Sequence, residues 1–283
     1  MQSLSRFRDI AGDYDGFILD LWGVIHDGVT PYPGASECMR KLREMGKPAV
    51  LLSNAPRRSH VAQAGLRGMG IPDDLYTDLL TSGEQTWRML RDRDDPFFAV
   101  LGRRVLHIGP ERDRNVIENL PLDRVERVED AAFVLNTGPD EASNEADLAP
   151  YLSVVEACRA ADLPMICANP DLEVIRGGRR VICAGLLTQR YEAMGGRARW
   201  IGKPDPAIYA PVLACLGAAK ERVLAVGDAL RTDIAGAASV GIDSCWVLGG
   251  IHGEELAGEP ARAAAAAREA GLAPVAAVPA FVW

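Results

Sequence analysis

No stretch of this 283-residue sequence approaches the roughly eighteen consecutive apolar residues that a membrane-crossing helix requires, so no membrane span is expected. The opening residues, MQSLSRFRDIAGDYDG, hold no apolar core of a secretion signal, and the chain reads as cytoplasmic. Positive charge is in short supply. Lysine and arginine number 31 against 39 aspartates and glutamates, and the net charge of −8 argues against nucleic-acid or membrane-surface partners. It does not argue against a phosphorylated substrate, because a metal ion or a lysine reverses the field within one pocket. The six cysteines (Cys38, Cys158, Cys167, Cys183, Cys215, Cys245) include no C-x-x-C pair and lie among apolar or helical neighbours. They read as reduced thiols, not as a zinc site or disulfide framework. Internal repeats are missing too, and the alanine-rich run at 261–270 reads as a plain surface helix.

What the chain has is ordinary globular bulk: 48% hydrophobic and 25% charged residues, over a length that buries one large core or two modest ones. Its organisation starts from Phe17–Gly28, FILDLWGVIHDG. A short apolar run ends in Asp20 and meets a glycine-containing turn, as when a buried parallel strand delivers a carboxylate to the ligand-binding edge of a sheet. Further short strands are expected at Ala49–Leu52, Val105–Ile108, Ala132–Asn136, Met165–Ala168, Val223–Val226 and Cys245–Leu248. Helices are expected over Ala35–Met45, from a cap at Ser59 to Gly70, from near Ser82, over Glu145–Ala161, around Leu186–Met194, from Ile208 to a stop at Gly217, and over Thr232–Val240. Arg91–Asp95 and the glycine pairs at 177–178 and 195–196 read as loops or junctions, and the terminal PVAAVPAFVW as an edge strand. The fold class is α/β: a doubly wound parallel-sheet core, residues 1–80 plus 197–283, split by a smaller inserted α/β unit at 81–196.

Asp20, Ser53, Lys203 and Asp228 all fall at strand ends or in the turns just beyond, within FILD, LLSNAPR, IGKPDP and AVGDALRTD. A doubly wound sheet gathers such ends at one edge, so one pocket can hold all four. A carboxylate nucleophile, oxygen ligands for a hard metal and cationic groups around the equatorial oxygens are what phosphoryl transfer through an enzyme carboxylate needs.

The ordered set DLWGV, LLSN, GKPDP and GDALRTD resembles the motifs of the haloacid dehalogenase (HAD) superfamily. The size and position of the insert, with ANPD at 168–171, resemble the class IIA cap of NagD-type phosphatases. The resemblance implies a Rossmann-like core, a cap that sets specificity, bound Mg²⁺ and a small phosphorylated substrate. By the same resemblance Asp20 is the nucleophile that becomes an aspartyl-phosphate, and Ser53, with Asn54 beside it, holds phosphoryl oxygens. Lys203 offsets charge between nucleophile and phosphate. Asp20, Asp228 and the backbone carbonyl of Trp22 hold the metal, while Asp233 supports that shell or Lys203. Cap-mediated homodimers are common among similar proteins, which is analogy only.

One departure matters. Phosphatases of this superfamily usually carry a second Asp two residues after the nucleophile as general acid and base; here Trp22 takes that place. Such a group is typically worth 10²–10⁴-fold, so alkyl phosphates suffer more from its loss than aryl or acyl phosphates. His26 has a suitable intrinsic pKa to replace it, although a loop histidine is the plainer reading, and Asp27 before Gly28 reads as a turn residue. Arg57 or Arg58 after the phosphate turn is expected to reach substrate or to start a helix; Asn169 and Asp171 are expected to face the site from the cap. Two alternatives stay open: a weak or inert member that binds a phosphorylated ligand, and a dehalogenase-type hydrolase attacking carbon.

Overall fold

The computed structural model describes residues 1–140, 147–256 and 259–283. In chain order, β1 (Gln2–Ser3), β2 (Gly16–Leu19), β3 (Ala49–Ser53) and β4 (Asp78–Thr81) come first. Then follow β5 (Arg104–Ile108), β6 (Asp123–Val125), β7 (Phe133–Asn136), β8 (Met165–Cys167), the hairpin β9 (Glu173–Arg176) and β10 (Arg179–Ile182), and β11 (Ala198–Trp200). β12 (Val223–Gly227), β13 (Asp243–Val247) and β14 (Ala276–Val278) close the chain.

Seven of these form one parallel sheet in the order β1-β14-β13-β12-β2-β3-β4, and five form a second parallel sheet, β11-β8-β7-β5-β6. In the first sheet the chain steps outward from β2 to β3 and β4, and in the opposite direction from β12 to β13 and β14. The strand order therefore reverses between β2 and β12. Their carboxyl ends flank the crevice where open α/β sheets bind ligands. That is where Asp20 and Asp228 stand.

Both faces of this sheet are covered, which is why its strands read as unbroken apolar runs rather than alternating ones. Side chains of a strand point alternately to its two faces. Phe17 and Leu19 join Leu51 and Val226 on one side, packed with Cys38, Met39 and Leu42 of the helix Ala35–Glu44. Ile18, Val50, Leu52 and Ala225 face the other side, against Tyr209, Val212 and Leu216 of the helix Tyr209–Leu216. The second sheet has its own two apolar layers, one around Val134, Val155 and Leu187 and the other around Leu135, Phe133 and Phe98.

Several local expectations shift. Ser59 is the first residue of its helix, not its cap; Arg58 precedes it in extended conformation. The predicted helix at Thr232–Val240 begins with a π turn, Leu230–Ile234, before the α-helix Ala235–Val240. The π turn carries Asp233 inward, where its Oδ2 accepts the N–H of Ala229 at 3.1 Å. The helix from Ser82 runs to Asp92, so Arg91 and Asp92 are helical rather than looped. Gly177 and Gly178 are the two-residue turn of the β9–β10 hairpin, both with positive φ (53° and 75°), which glycine adopts without strain. The C-terminal strand β14 lies inside the sheet, because β1 takes the edge beyond it. The helix expected over Glu145–Ala161 is found at Ala149–Ala160; Glu145 and Ala146 lie outside the described residues. No helix among the described residues is long and apolar enough to cross a membrane. All six cysteines are free thiols, five of them buried.

Candidate active site

The site is built from loops that leave the first sheet at one edge. The backbone N–H of Asp20 still follows the sheet, donating to the Val226 carbonyl at 2.9 Å, so the carboxylate is aimed from the end of a rigid strand. Lys203 arrives from the segment that follows β11. Asn54, just past β3, holds that segment from both sides: its Oδ1 accepts the Lys203 N–H at 2.8 Å and its Nδ2 donates to the Lys203 carbonyl at 3.2 Å. The ammonium then donates to Asp20 Oδ1 at 2.5 Å, Asp233 Oδ1 at 2.6 Å and the Leu52 carbonyl at 3.0 Å. Each of its three protons has an acceptor.

Asp228 is clamped by backbone. Its Oδ2 accepts the Ile251 N–H at 2.6 Å. A Cβ on Gly23 would fall 1.9 Å from that oxygen, and one on Gly250 2.0 Å from it, so only glycine lets the two loops close on the carboxylate. Carboxylate oxygens of Asp20, Asp228 and Asp233 lie within 4.8 Å of one another. Asp233 is already occupied by Lys203 and Ala229, which leaves Asp20 and Asp228 as the open pair. The backbone of Gly23 lies directly against the latter.

Three buried carboxylates therefore share one ammonium. Burial, followed by the charge of Asp233, pushes the Asp20 carboxyl up to about 8 against the pull of Lys203. Burial pushes Asp228 up too, with Asp233 and Asp20 adding to it. Burial alone works to lower the Lys203 ammonium, but Asp20 and Asp233 overcome it and hold the group above its usual range. The protein supplies more negative charge than it can neutralise itself. Hard oxygen donors with surplus negative charge suit a divalent cation such as Mg²⁺.

The remaining predicted residues divide. Ser53 is fully buried at the end of β3, its Oγ accepting the Ala55 N–H at 3.2 Å. The Asn54 amide also reaches Ser82 Oγ (3.2 Å) and Asp171 Oδ1 (2.9 Å), so its side chain positions both Lys203 and Asp171. Asn169 does face the site, lining a cavity of about 110 Å³ and accepting the Asp171 N–H through Oδ1 at 3.0 Å. The indole of Trp22 lies over Gly28 and stands edge-on to His26, ring centroids 5.4 Å apart.

One expectation is corrected. Arg58 does not reach the pocket: Glu84 takes its Nε at 2.6 Å, and the guanidinium lies 3.8 Å over the Trp87 ring. Its neighbour Arg57 lines the cavity instead, beside the buried Asp113, with Arg57 Nε 3.6 Å from Asp113 Oδ1. His26 lies buried in the loop after β2. Its Nδ1 accepts the Gly28 N–H at 2.9 Å, and burial lowers its pKa to about 4, so it is neutral near pH 7. Asp27 serves its own turn, accepting from the N–H groups of Val29 and Thr30.

The β9–β10 hairpin was not expected from the sequence; it supplies Val174, Arg176, Val181 and Ile182 to the cavity that Asn169 and Arg57 line, and touches the loop after β2 through Gly177 N–H to the Asp27 carbonyl at 3.3 Å. The EVIR and RRVI runs flanking the glycine pair were its signal.

Comparison with known proteins gives a consistent neighbourhood. Residues 17–122 match the family model described as haloacid dehalogenase-like hydrolase, and residues 200–275 match that of HAD-hydrolase-like proteins. D-glycerol 3-phosphate phosphatase of Mycobacterium tuberculosis is 30% identical over 267 residues, 90% of this chain and 69% of that protein. A glycerol phosphate phosphatase from that organism, solved in complex with magnesium, superposes with a TM-score of 0.63 at 26% identity, covering 89% of this chain and 74% of that one. The ribonucleotide monophosphatase NagD of Escherichia coli is 27% identical over 238 residues, 83% of this chain and 87% of that one. A haloacid dehalogenase-like hydrolase from Brucella suis superposes with a TM-score of 0.85 at 32% identity, covering 99% of this chain and all of that one.

Proposed function

Since the chain belongs to the haloacid dehalogenase-like hydrolases, in their class IIA, NagD-type group of phosphatases, we propose that it hydrolyses a small phosphorylated metabolite with Mg²⁺, through an aspartyl-phosphate on Asp20. The observation that carries this reading is the buried cluster itself. An ammonium bound to Asp20 and Asp233, with Asp228 clamped beside them, serves no packing purpose that apolar residues would not serve better. The same cluster is what in-line phosphoryl transfer needs.

The residues that would hold Mg²⁺ are Asp20, Asp228 and the main-chain carbonyl of Trp22; bound there, the ion supplies positive charge that keeps both carboxylates ionised and offsets charge on phosphoryl oxygens. Asp20 then attacks phosphorus from the end of β2, and water discharges the ester. Lys203 is held too firmly by its acceptors to swing away, and so presents a fixed charge to the incoming phosphoryl group. Ser53 and the backbone beyond β3 receive its oxygens. Residues 81–196 act as the cap that encloses the leaving group, and the hairpin supplies its apolar wall. The organic part of the substrate occupies the cavity lined by Arg57 and Asn169.

Neither alternative gains an observation of its own. The nucleophile and its ammonium are fully assembled, and displacement at carbon has no use for a cluster of open carboxylates. The test is initial-rate hydrolysis of para-nitrophenyl phosphate with Mg²⁺ and with EDTA, beside Asp20→Asn. Release that needs both the metal and Asp20 is the expected result. Release that survives either loss, or no release from any member of a broad phosphomonoester panel, overturns the reading.

A further inference from the structure

Trp22 cannot protonate a leaving group, His26 is buried and neutral, and Asp27 is committed to its turn. An alkoxide leaving group nonetheless needs a proton as its bond to phosphorus breaks. Where that proton comes from is marked by the shape of the pocket. A small cavity of about 40 Å³ holds Asp20, Lys203, Asp228 and Asp233. The larger one beside it is lined by Arg57, Asn169 and Ile182 among others. Three residues line both: Trp22, Asp171 and Val174. A phosphomonoester with phosphorus facing Asp20 and its organic part in the larger cavity has its bridging oxygen at this seam. Of the three side chains there, Asp171 alone can give and take a proton.

Resting on the phosphatase reading above, we propose that Asp171, delivered from the second sheet, is the general acid and base of this enzyme in place of the absent carboxylate at position 22. The side chain is positioned for it. Its Oδ1 accepts from Asn54 Nδ2 at 2.9 Å, and its backbone N–H donates to Asn169 Oδ1 at 3.0 Å, so one carboxyl oxygen is fixed and the other is left for substrate. Asn54 also holds both main-chain groups of Lys203, its N–H and its carbonyl, tying the proton donor to the nucleophile's cationic partner through one side-chain amide.

The groups facing Asp171 come from every element around it. Lys203 and Arg231 favour its carboxylate, Asp233 and Asp20 oppose it, and the thiols of Cys167 and Cys183 are kept protonated by burial. Burial is the largest influence and raises the Asp171 carboxyl above its usual range. That favours a group that starts protonated.

In the first step an Asp20 oxygen forms a bond to phosphorus, the bond to the bridging oxygen breaks, and that oxygen's electron pair takes the Asp171 proton. The alcohol leaves and Asp171 becomes a carboxylate. In the second step Asp171 takes a proton from water, whose oxygen bonds to phosphorus while the Asp20–phosphorus bond breaks and its pair returns to Asp20. The products are alcohol and phosphate, and Asp171 is protonated again.

The test compares Asp171→Asn with wild type on an alkyl phosphate and on para-nitrophenyl phosphate, with Mg²⁺. Because kcat/KM reports the first step, it falls 10²–10⁴-fold for the alkyl ester and less than about tenfold for the aryl ester. The second step is slowed for both, so the variant shows a burst of nitrophenolate equal to the enzyme present. Equal losses on both esters, or none on either, overturn the proposal. Wild type alone offers a second check that needs no variant. Across a series of substituted phenyl and alkyl phosphates its kcat/KM depends weakly on leaving-group pKa; a steep dependence contradicts an internal acid. Failure of the function itself looks different: wild-type turnover would then be insensitive to Asp20→Asn.

Discussion

Lys203 shows how much one side chain decides here. Its ammonium is the sole cation hydrogen-bonded to Asp20 and Asp233 among the described residues. Lys203→Met removes it and leaves neighbouring buried carboxylates without a counter-charge; breaking such a pair costs about 3–5 kcal/mol unless a carboxylate is protonated. Loss of kcat by at least about 10²-fold is expected, since fixed charge at the phosphoryl group is of that value elsewhere. A rate within a few-fold of wild type would remove Lys203 from the chemistry. Arg58→Ala should do the reverse. It breaks a largely buried pair with Glu84 and a stack on Trp87, so melting temperature drops while kcat/KM stays within about threefold. A selective KM increase would return Arg58 to the substrate.

Two histidines give a pH dependence at the same scale. Burial lowers both His26 and His107 to about 4 from the ordinary value of 6.5, so the folded protein keeps them neutral. As pH falls from 6.5 towards 4 the unfolded chain binds these protons first, and stability is lost over that window. Above 6.5 the contribution is fully present. Urea denaturation across the window should show a decline that is shallower in His107→Gln; an unchanged slope would locate the acid sensitivity elsewhere.

At the scale of elements, the core was largely legible because its strands obey simple physics. Phe17–Leu19, Ala49–Leu52 and Val223–Val226 are apolar on both faces, and each ends beside a residue of the candidate site. What could not be read was the direction of side chains in loops. Arg57 and Arg58 are adjacent and chemically alike, yet only the former faces the cavity, because Glu84 and Trp87 capture the latter from a helix twenty-odd residues on. Asn54 was legible as a site residue but not as the clamp on Lys203, a partner 149 positions away in the chain. The turn after β13 makes the dependence testable. Gly250→Ala puts a methyl group against Asp228 Oδ2 without demanding an unusual φ. Affinity for Mg²⁺ should weaken at least about tenfold, one such step being roughly 1.4 kcal/mol, with the sheet intact by circular dichroism. Unaltered Mg²⁺ affinity would mean that Asp228 is not a ligand.

For the whole molecule, the surplus of buried negative charge links ligand to stability. A cation that binds only the folded state adds RT ln(1 + [L]/Kd), about 2.7 kcal/mol at a hundredfold excess over Kd. Mg²⁺ should therefore raise the melting temperature of wild type and leave that of Asp228→Asn nearly unmoved. The variant without metal should melt no lower than wild type without metal, since it replaces a carboxyl whose charged form burial and its neighbours already disfavour. Equal stabilisation of both proteins would place the ion outside this cluster.

Central to the proposed reaction is that Asp20 carries the phosphoryl group. Acid quenching during turnover of a phosphomonoester, followed by mass spectrometry of the peptide spanning Phe17–Gly28, tests that directly. The expected result is a phosphoryl adduct on Asp20 that disappears as substrate is exhausted and never forms in Asp20→Asn. Sustained hydrolysis with no adduct, undiminished in Asp20→Asn, would contradict it.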